Sequence, residues 1–199
     1  MPRKKDEALH ASRVRQILDA ARTCFVAHGF HGSSMRRILD TAGISSGGAY
    51  NYFSGKDDIV SALVESERPD IDRLVKRLTD CKDPLTGIAR LVFDSIGYYS
   101  REDAVLAAEI YAESCRNPAI YKVMQANAER IGRPVRETIA RGIESGKITD
   151  RYAAADLAEW VLALIDGYVG RIAVCPGLEP KKAAQTAKKS VLEFLGCGS

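Results

Sequence analysis

The stretch SSGGAYNYF, Ser45–Phe53, places two adjacent glycines before alternating aromatic residues. Taken alone it resembles a flexible turn that leads into a short strand, because each glycine inside a helix costs about 1 kcal/mol relative to alanine. The residues on either side of the stretch must therefore decide whether it is a loop or part of a helix.

Upstream of this stretch the apolar residues follow a helical period. A first stripe, spaced as one helix face, consists of Val14, Ile17, Leu18, Ala21 and Phe25. This spacing predicts a helix from about Ser12 that stops at Gly29, where a left-handed residue is easily adopted. Ser33 or Ser34 then offers an N-cap for a short second helix, which Gly43 ends. Ser45 can cap a third helix directly afterwards.

A short capped helix, a turn at Ala42-Gly43-Ile44 and a second short helix form a helix-turn-helix over about 34–53. In this motif the second helix lies in the DNA major groove with its N-terminal residues at the base edges. Gly47 and Gly48 would let the backbone approach, and the helix N-terminus carries a partial positive charge. The two glycines are thus explained by access to DNA.

The aromatic residues and their neighbours fit the same interpretation. Tyr50 and Tyr52 have hydroxyls that can reach phosphates, and Asn51 can bond a phosphate or an adenine edge. Lys56 is placed for phosphate at the start of the next helix. Charge agrees with this, since residues 1–60 hold nine Lys/Arg against six Asp/Glu, which accounts for the net charge of +3 of the whole chain.

The residues ILDAARTCFVAHGFHGSSMRRILDTAGISSGGAYNYFSGKDDIVSAL, Ile17 to Leu63, resemble the DNA-binding domain of TetR-family transcriptional regulators. This chain departs from the family pattern at Ser46, where Lys is frequent, and at Gly48 and Ala49. The resemblance implies DNA contacts, with either Arg36 or Arg37 taking part, from Ser34, Arg36, Arg37, Ser45, Ser46, Gly47, Gly48, Tyr50, Asn51, Tyr52 and Lys56.

Helical spacing continues through the rest of the chain and predicts an all-α protein of about nine helices. We expect a basic, disordered arm over 1–11, a DNA-binding domain over 12–58 and a ligand-binding and dimerisation domain over 59–199. Pro69 should kink or divide the helix that begins near Ser54, for which Asp57 has the capping-box spacing.

The last two predicted helices are candidates for a homodimer interface. The segment 153–174 is apolar over so much of its circumference that it needs cover from its own core and from a partner. The family resemblance likewise implies a four-helix bundle between two subunits, which would read a palindromic operator. The predicted interface residues are Leu157, Val161, Leu164, Ile165, Ala184, Ala187, Val191 and Phe194.

The resemblance also implies a pocket for a small-molecule effector in the larger domain. Core or interface packing is the alternative for each aromatic candidate, and a solvated face for Glu109, which could with Glu113 meet a cationic ligand. The candidates are Phe93, Tyr98, Tyr99, Glu109, Tyr111, Trp160 and Tyr168.

Other functional classes find less support. The five cysteines are odd in number and widely spaced, which argues against a disulfide framework and a metal site, and we expect no cofactor. All three histidines lie within the first 31 residues and no catalytic motif is present, so an all-α enzyme is the weaker hypothesis. A helical adaptor is a third.

The longest apolar run, Trp160–Ile165, is too short to span a bilayer. We expect a cytoplasmic ligand-responsive repressor.

Overall fold

The computed structural model describes residues 2–45 and 51–196. Within these ranges the regular secondary structure is helical, apart from one isolated antiparallel bridge between Ile148 and Gly196, and the all-α prediction is confirmed. The nine helices in the described ranges are α1 (Pro2–Gly32), α2 (Met35–Ala42), α3 (Lys56–Ser66), α4 (Arg68–Thr79), α5 (Pro84–Tyr98), α6 (Arg101–Ser114), α7 (Pro118–Glu144), α8 (Ala154–Val174) and α9 (Pro180–Leu195).

The N-terminal arm differs from its prediction. We predicted a disordered arm over 1–11, but α1 begins at Pro2 and continues without interruption to a kink at Gly29. Proline suits the first turn of a helix because its missing N–H would have no partner there. The Lys, Asp, Glu and Ala residues that follow it are mostly good helix formers, so no breaker separates the arm from the helix.

The helices after the helix-turn-helix region divide near the predicted proline. α3 ends at Ser66, and α4 carries Pro69 in its first turn, where proline is tolerated. The predicted capping partner of Ser54 was wrong by one residue, because both the backbone N–H and the hydroxyl of Ser54 bond the Asp58 carboxylate. These hydrogen bonds favour the ionised acid and lower the pKa of Asp58.

The chain forms two compact units. The first contains the residues up to Ser66 together with Ala108–Met124, and the second contains Glu67–Ala107 and the residues from Gln125 onwards. In the first unit α2 and α3 both pack against α1. The segment 108–124, which lies within the predicted ligand-binding and dimerisation domain of 59–199, therefore belongs to the first unit.

The second unit is built around α5, which packs against α4, α8 and α9. Asp83 caps α5 by accepting the Thr86 N–H at 2.8 Å, and its other carboxylate oxygen accepts from Lys147 Nζ at 2.7 Å. The Lys147 ammonium and the Thr86 N–H lower the pKa of Asp83 to about 2. Among the described helices, none is both long enough and apolar enough to cross a membrane.

Candidate nucleic-acid interface

The corner between α1 and α2 depends on Gly29. Its backbone angles, φ 70° and ψ 170°, fall in a region that is essentially reserved for glycine, and they kink α1 three residues before its end. The chain then brings Phe30 into the core of the first unit, where its ring lies 5.6 Å from that of Phe25. The predicted stop at Gly29 is therefore a kink, followed by one further helical turn to Gly32.

The two serines after this kink make different hydrogen bonds. The sequence left open which of them caps α2. Ser33 is fully buried, and its hydroxyl lies 2.8 Å from the Gly29 carbonyl and 3.0 Å from that of Cys24. Ser34 is the N-cap of α2, since its hydroxyl accepts the Arg37 N–H at 3.1 Å. Ser33 thus satisfies carbonyls at the end of α1, whereas Ser34 starts the next helix.

α2 has one buried and one exposed face. Ile38, Leu39 and Ala42 are buried, while Arg36 and Arg37 are exposed. The helix ends as predicted at Gly43, which has the left-handed angles φ 66° and ψ 31°. The Ile44 N–H then bonds the Leu39 carbonyl at 3.0 Å, which closes the turn of the helix-turn-helix.

The predicted DNA-contacting residues fall into three groups. Ser46, Gly47, Gly48 and Tyr50 lie outside the described residues. Ser34, Arg36, Arg37, Ser45 and Asn51 are exposed, and the guanidinium of Arg36 lies 3.8 Å from the Asp40 carboxylate. Tyr52 and Lys56 are half-buried, so part of each already packs against the protein.

These two half-buried residues have partners in α1. The Tyr52 ring lies 4.9 Å from the His10 ring. Lys56 donates from Nζ to the Phe30 carbonyl at 2.7 Å, and its ammonium lies 4.2 Å from the centre of the Phe30 ring. Hydrogen bonding and cation–π attraction together hold the Lys56 ammonium at the kinked end of α1. No sequence pattern indicated this arrangement, and a contact of Lys56 with phosphate stays a prediction.

The predicted effector-pocket residues divide between the two units. Glu109 and Tyr111 belong to the first unit, where Glu109 accepts the Phe30 N–H at 2.8 Å. In the second unit Tyr98 is 71% exposed. Four of the candidates are half-buried against the core of that unit, namely Phe93, Tyr99, Trp160 and Tyr168.

Most of the predicted dimer-interface residues are corrected by the structure. They are buried in the core of the second unit within a single chain, so they have no surface left for a partner; these are Leu157, Val161, Ile165, Ala184, Ala187 and Val191. Leu164 is half-buried and Phe194 is 42% exposed. The periodicity located the apolar face of each helix but could not say which half of it is turned to the chain's own core.

Sequence comparison assigns both parts of the chain. Residues 17–63 match the family described as bacterial regulatory proteins, tetR family. Residues 84–196 match the C-terminal domain of BetI-type transcriptional repressors. The HTH-type transcriptional repressor AcnR of Corynebacterium diphtheriae is 25% identical over 162 residues, which are 81% of each chain.

Structural comparison gives the same fold. A transcriptional regulator from Saccharomonospora viridis in complex with choline superposes with a TM-score of 0.78 at 23% identity, covering 94% of this chain and 100% of the other. The regulator FadR of Bacillus subtilis in complex with stearoyl-CoA superposes with a TM-score of 0.77 at 19% identity, covering 89% and 97%. With the capped α2, the Gly43 turn and the two family matches, the chain belongs to the TetR family of DNA-binding transcriptional regulators.

Proposed function

We propose that this regulator is a homodimeric repressor that acts in the cytoplasm, binds a palindromic operator and releases it when a small molecule binds its second unit. The observation that carries the proposal is the helix-turn-helix corner, in which a capped α2 with two exposed arginines is followed by a left-handed Gly43. Such a corner brings the segment from Ser45 onwards to the major groove, while cations on α2 can neutralise phosphates.

The DNA contacts follow from this placement. We assign phosphate contacts to Ser34 and to Arg36 or Arg37, which are exposed on α2 and its cap. Base contacts fall to the segment 45–52, of which Ser45 and Asn51 are described and exposed. Repression requires no chemical step, because a protein seated on a promoter excludes other proteins from it by occupancy.

A dimer would supply a second helix-turn-helix to contact the other half of the operator. The exposed face of α8 carries Ala163, Gly167 and Gly170, and no atom lies within 4 Å of where a Cβ would stand on either glycine. Each exposed glycine lowers the stability of a helix by about 1 kcal/mol relative to alanine. Close approach of a second α8 would require residues of this small size and would explain why they are present. Large apolar side chains are exposed in the same part of the chain, namely Tyr152, Val174, Leu192 and Phe194.

This corrected face replaces the buried residues predicted from sequence. Two copies related by a twofold axis would bury the small-residue face of α8 beside the exposed face of α9. Operator half-sites would then lie about 34 Å apart, one helical turn of DNA, or a multiple of that distance.

The effector is proposed to bind in the second unit. Ser95, in the buried face of α5, is 7% exposed, and its buried hydroxyl has no hydrogen-bond partner among the described residues. Such groups are rare in proteins, and a ligand with a polar group would satisfy this one. Ser95 lies one helical turn before Tyr99, one of the predicted pocket aromatics.

A gel shift on the DNA that flanks the chain's own coding region tests the proposal. The wild-type protein should retard one fragment, and the retardation should be lost with one compound from a small-molecule panel. The panel should include choline and stearoyl-CoA, since these are the ligands of the two structural neighbours. Failure to retard any fragment, followed by failure to select any sequence from random DNA, would contradict operator binding.

A further inference from the structure

The first unit includes a segment from the middle of the chain. Its boundaries fall inside α6, between Ala107 and Ala108, and inside α7, between Met124 and Gln125. We call the segment 108–124 the hairpin tip. It consists of the last turns of α6, the connection and the first turns of α7.

The hairpin tip contacts the chain just before the helix-turn-helix. Glu109 Oε2 accepts the backbone N–H of Phe30 at 2.8 Å, directly after the non-helical backbone angles of Gly29 at the kink of α1. A Cβ on Gly29 would lie 3.2 Å from the same oxygen, so the glycine also leaves room for the carboxylate. A charged acceptor on a backbone N–H forms one of the stronger protein hydrogen bonds.

A second contact lies just after the helix-turn-helix. Asn117 donates from Nδ2 to Asp57 Oδ2 at 2.7 Å, in the first turn of α3. The amide oxygen of Asn117 accepts the Ala119 N–H at 3.0 Å, so the same side chain caps α7. One residue thereby ties the start of α7 to the start of α3.

Two further interactions stabilise this arrangement. Lys56, next to Asp57, bonds the Phe30 carbonyl, so the two ends of the segment 30–57 are also joined to each other. Glu113, 8% exposed, lies one turn after Glu109 and meets His31 Nε2 at 3.3 Å and the Arg116 guanidinium at 3.9 Å. The hairpin tip therefore holds both ends of the segment that carries the helix-turn-helix.

We propose that Glu109 and Asn117 are positioning residues for operator binding. Neither belongs to the helix-turn-helix, yet each fixes one end of the segment that contains it. The inference rests on the proposed operator binding and adds to it two residues, outside the helix-turn-helix, that fix the ends of the segment carrying it.

The first test compares variants of Glu109 in the full-length protein. The probe is a duplex selected from random DNA by the wild-type protein. Glu109→Ala should raise Kd about tenfold or more, because the Phe30 N–H loses a charged acceptor. Glu109→Gln, which keeps an amide oxygen as acceptor, should recover most of that loss. Glu102→Gln, an exposed glutamate on the same helix, is the matched control and should bind as wild type does.

Hydrogen exchange separates positioning from general destabilisation. In Glu109→Ala the Phe30 amide should exchange about tenfold or more faster, while core amides of α5 keep their protection. Equal protection of Phe30 in wild type and Glu109→Ala would overturn the assigned hydrogen bond. Weaker binding that accompanies uniform loss of protection would assign Glu109 a structural role and overturn the proposal for it.

An exchange of side chains provides the second, independent test. Asn117→Asp keeps the α7 cap but places two carboxylates together, and it should weaken DNA binding. Adding Asp57→Asn restores a donor and an acceptor with their places exchanged, and binding should return towards wild type. Wild-type affinity of folded Glu109→Ala and Asn117→Asp would overturn the inference alone. A wild-type protein that selects no duplex would overturn the proposed function with it.

Discussion

Gly29 combines two requirements that no other residue type meets. Its angles of φ 70° and ψ 170° are accessible almost only to glycine, and its missing side chain leaves space beside the Glu109 carboxylate. A single residue therefore allows both the kink in α1 and the hydrogen bond that holds it.

We predict that Gly29→Ala destabilises the first unit by about 1–3 kcal/mol, because the Cβ strains the backbone at this φ and crowds Glu109. Thermal unfolding followed by circular dichroism measures the change. Gly177→Ala is the control, since nothing lies within 4 Å of its added Cβ and its φ is not positive. Equal unfolding temperatures for both variants would show that the kink does not require glycine.

Arg36 is expected to act on DNA through its charge. Its side chain is 88% exposed, and its distance of 3.8 Å to Asp40 leaves the guanidinium available to phosphate. Arg36→Gln should reduce the slope of log K against log salt by about one, whatever the DNA sequence. Arg133→Gln, an exposed arginine of α7, should leave the slope unchanged. An unaltered slope in Arg36→Gln would remove this residue from the phosphate contacts.

Interactions between residues a few positions apart were predictable from the sequence, whereas interactions between residues distant in the chain were not. The cap at Ser34 and the left-handed Gly43 follow from local preferences for serine before a helix and glycine after it. The bond from Phe30 to Glu109 joins residues 79 positions apart. No periodicity marks such a pair, so the sequence offered only a cationic ligand or a solvated face for Glu109.

Among the helices, α5 begins at a residue with two roles: Asp83 caps the helix and also forms an ion pair. Asp83 accepts the Thr86 N–H with one oxygen and bonds the Lys147 ammonium with the other. The carboxyl keeps its charge to low pH, since its pKa is about 2 in the folded chain against an ordinary value of 3.8. Stability from this group is thus present above pH 3.8 and is lost as the pH falls towards 2.

We predict that Asp83→Asn lowers stability at neutral pH by about 0.2–1 kcal/mol, the range for a partly exposed pair, because asparagine keeps the cap but loses the charge. Asp83→Ala loses the cap as well and should cost about 1 kcal/mol more. Urea unfolding between neutral pH and pH 3 measures both. The gap between wild type and Asp83→Asn should narrow below pH 4; a constant gap would contradict an ionic contribution.

The exposed face of α8 leads to a prediction about dimer formation. In an isolated chain Gly170→Leu would raise helix propensity by about 0.5–1 kcal/mol, since leucine is a better helix former. At a close helix–helix interface the same side chain would keep the two helices apart. We therefore expect Gly170→Leu to be a folded monomer in sedimentation velocity, and Ala126→Leu, on an exposed part of α7, to stay dimeric. A dimeric Gly170→Leu would place the interface elsewhere.

Within the described ranges the all-α fold could be read from the sequence. Apolar spacing and Pro69 indicated the helical segments and the division between α3 and α4, because capping and periodicity are local. Which face of α8 and α9 the chain covers by itself was not predictable. That depends on α5, which packs against both and buries the residues we had assigned to a partner.

The chain enters and leaves the DNA-binding unit more than once, at Ser66, Ala108 and Met124. No contiguous gene fragment therefore encodes that unit without residues of the second unit. A chimera that grafts only the first 66 residues onto another regulator would carry Phe30 and Asp57 without Glu109 and Asn117. Its specificity should transfer fully only when the recipient's own α6–α7 connection is replaced by residues 108–124 as well.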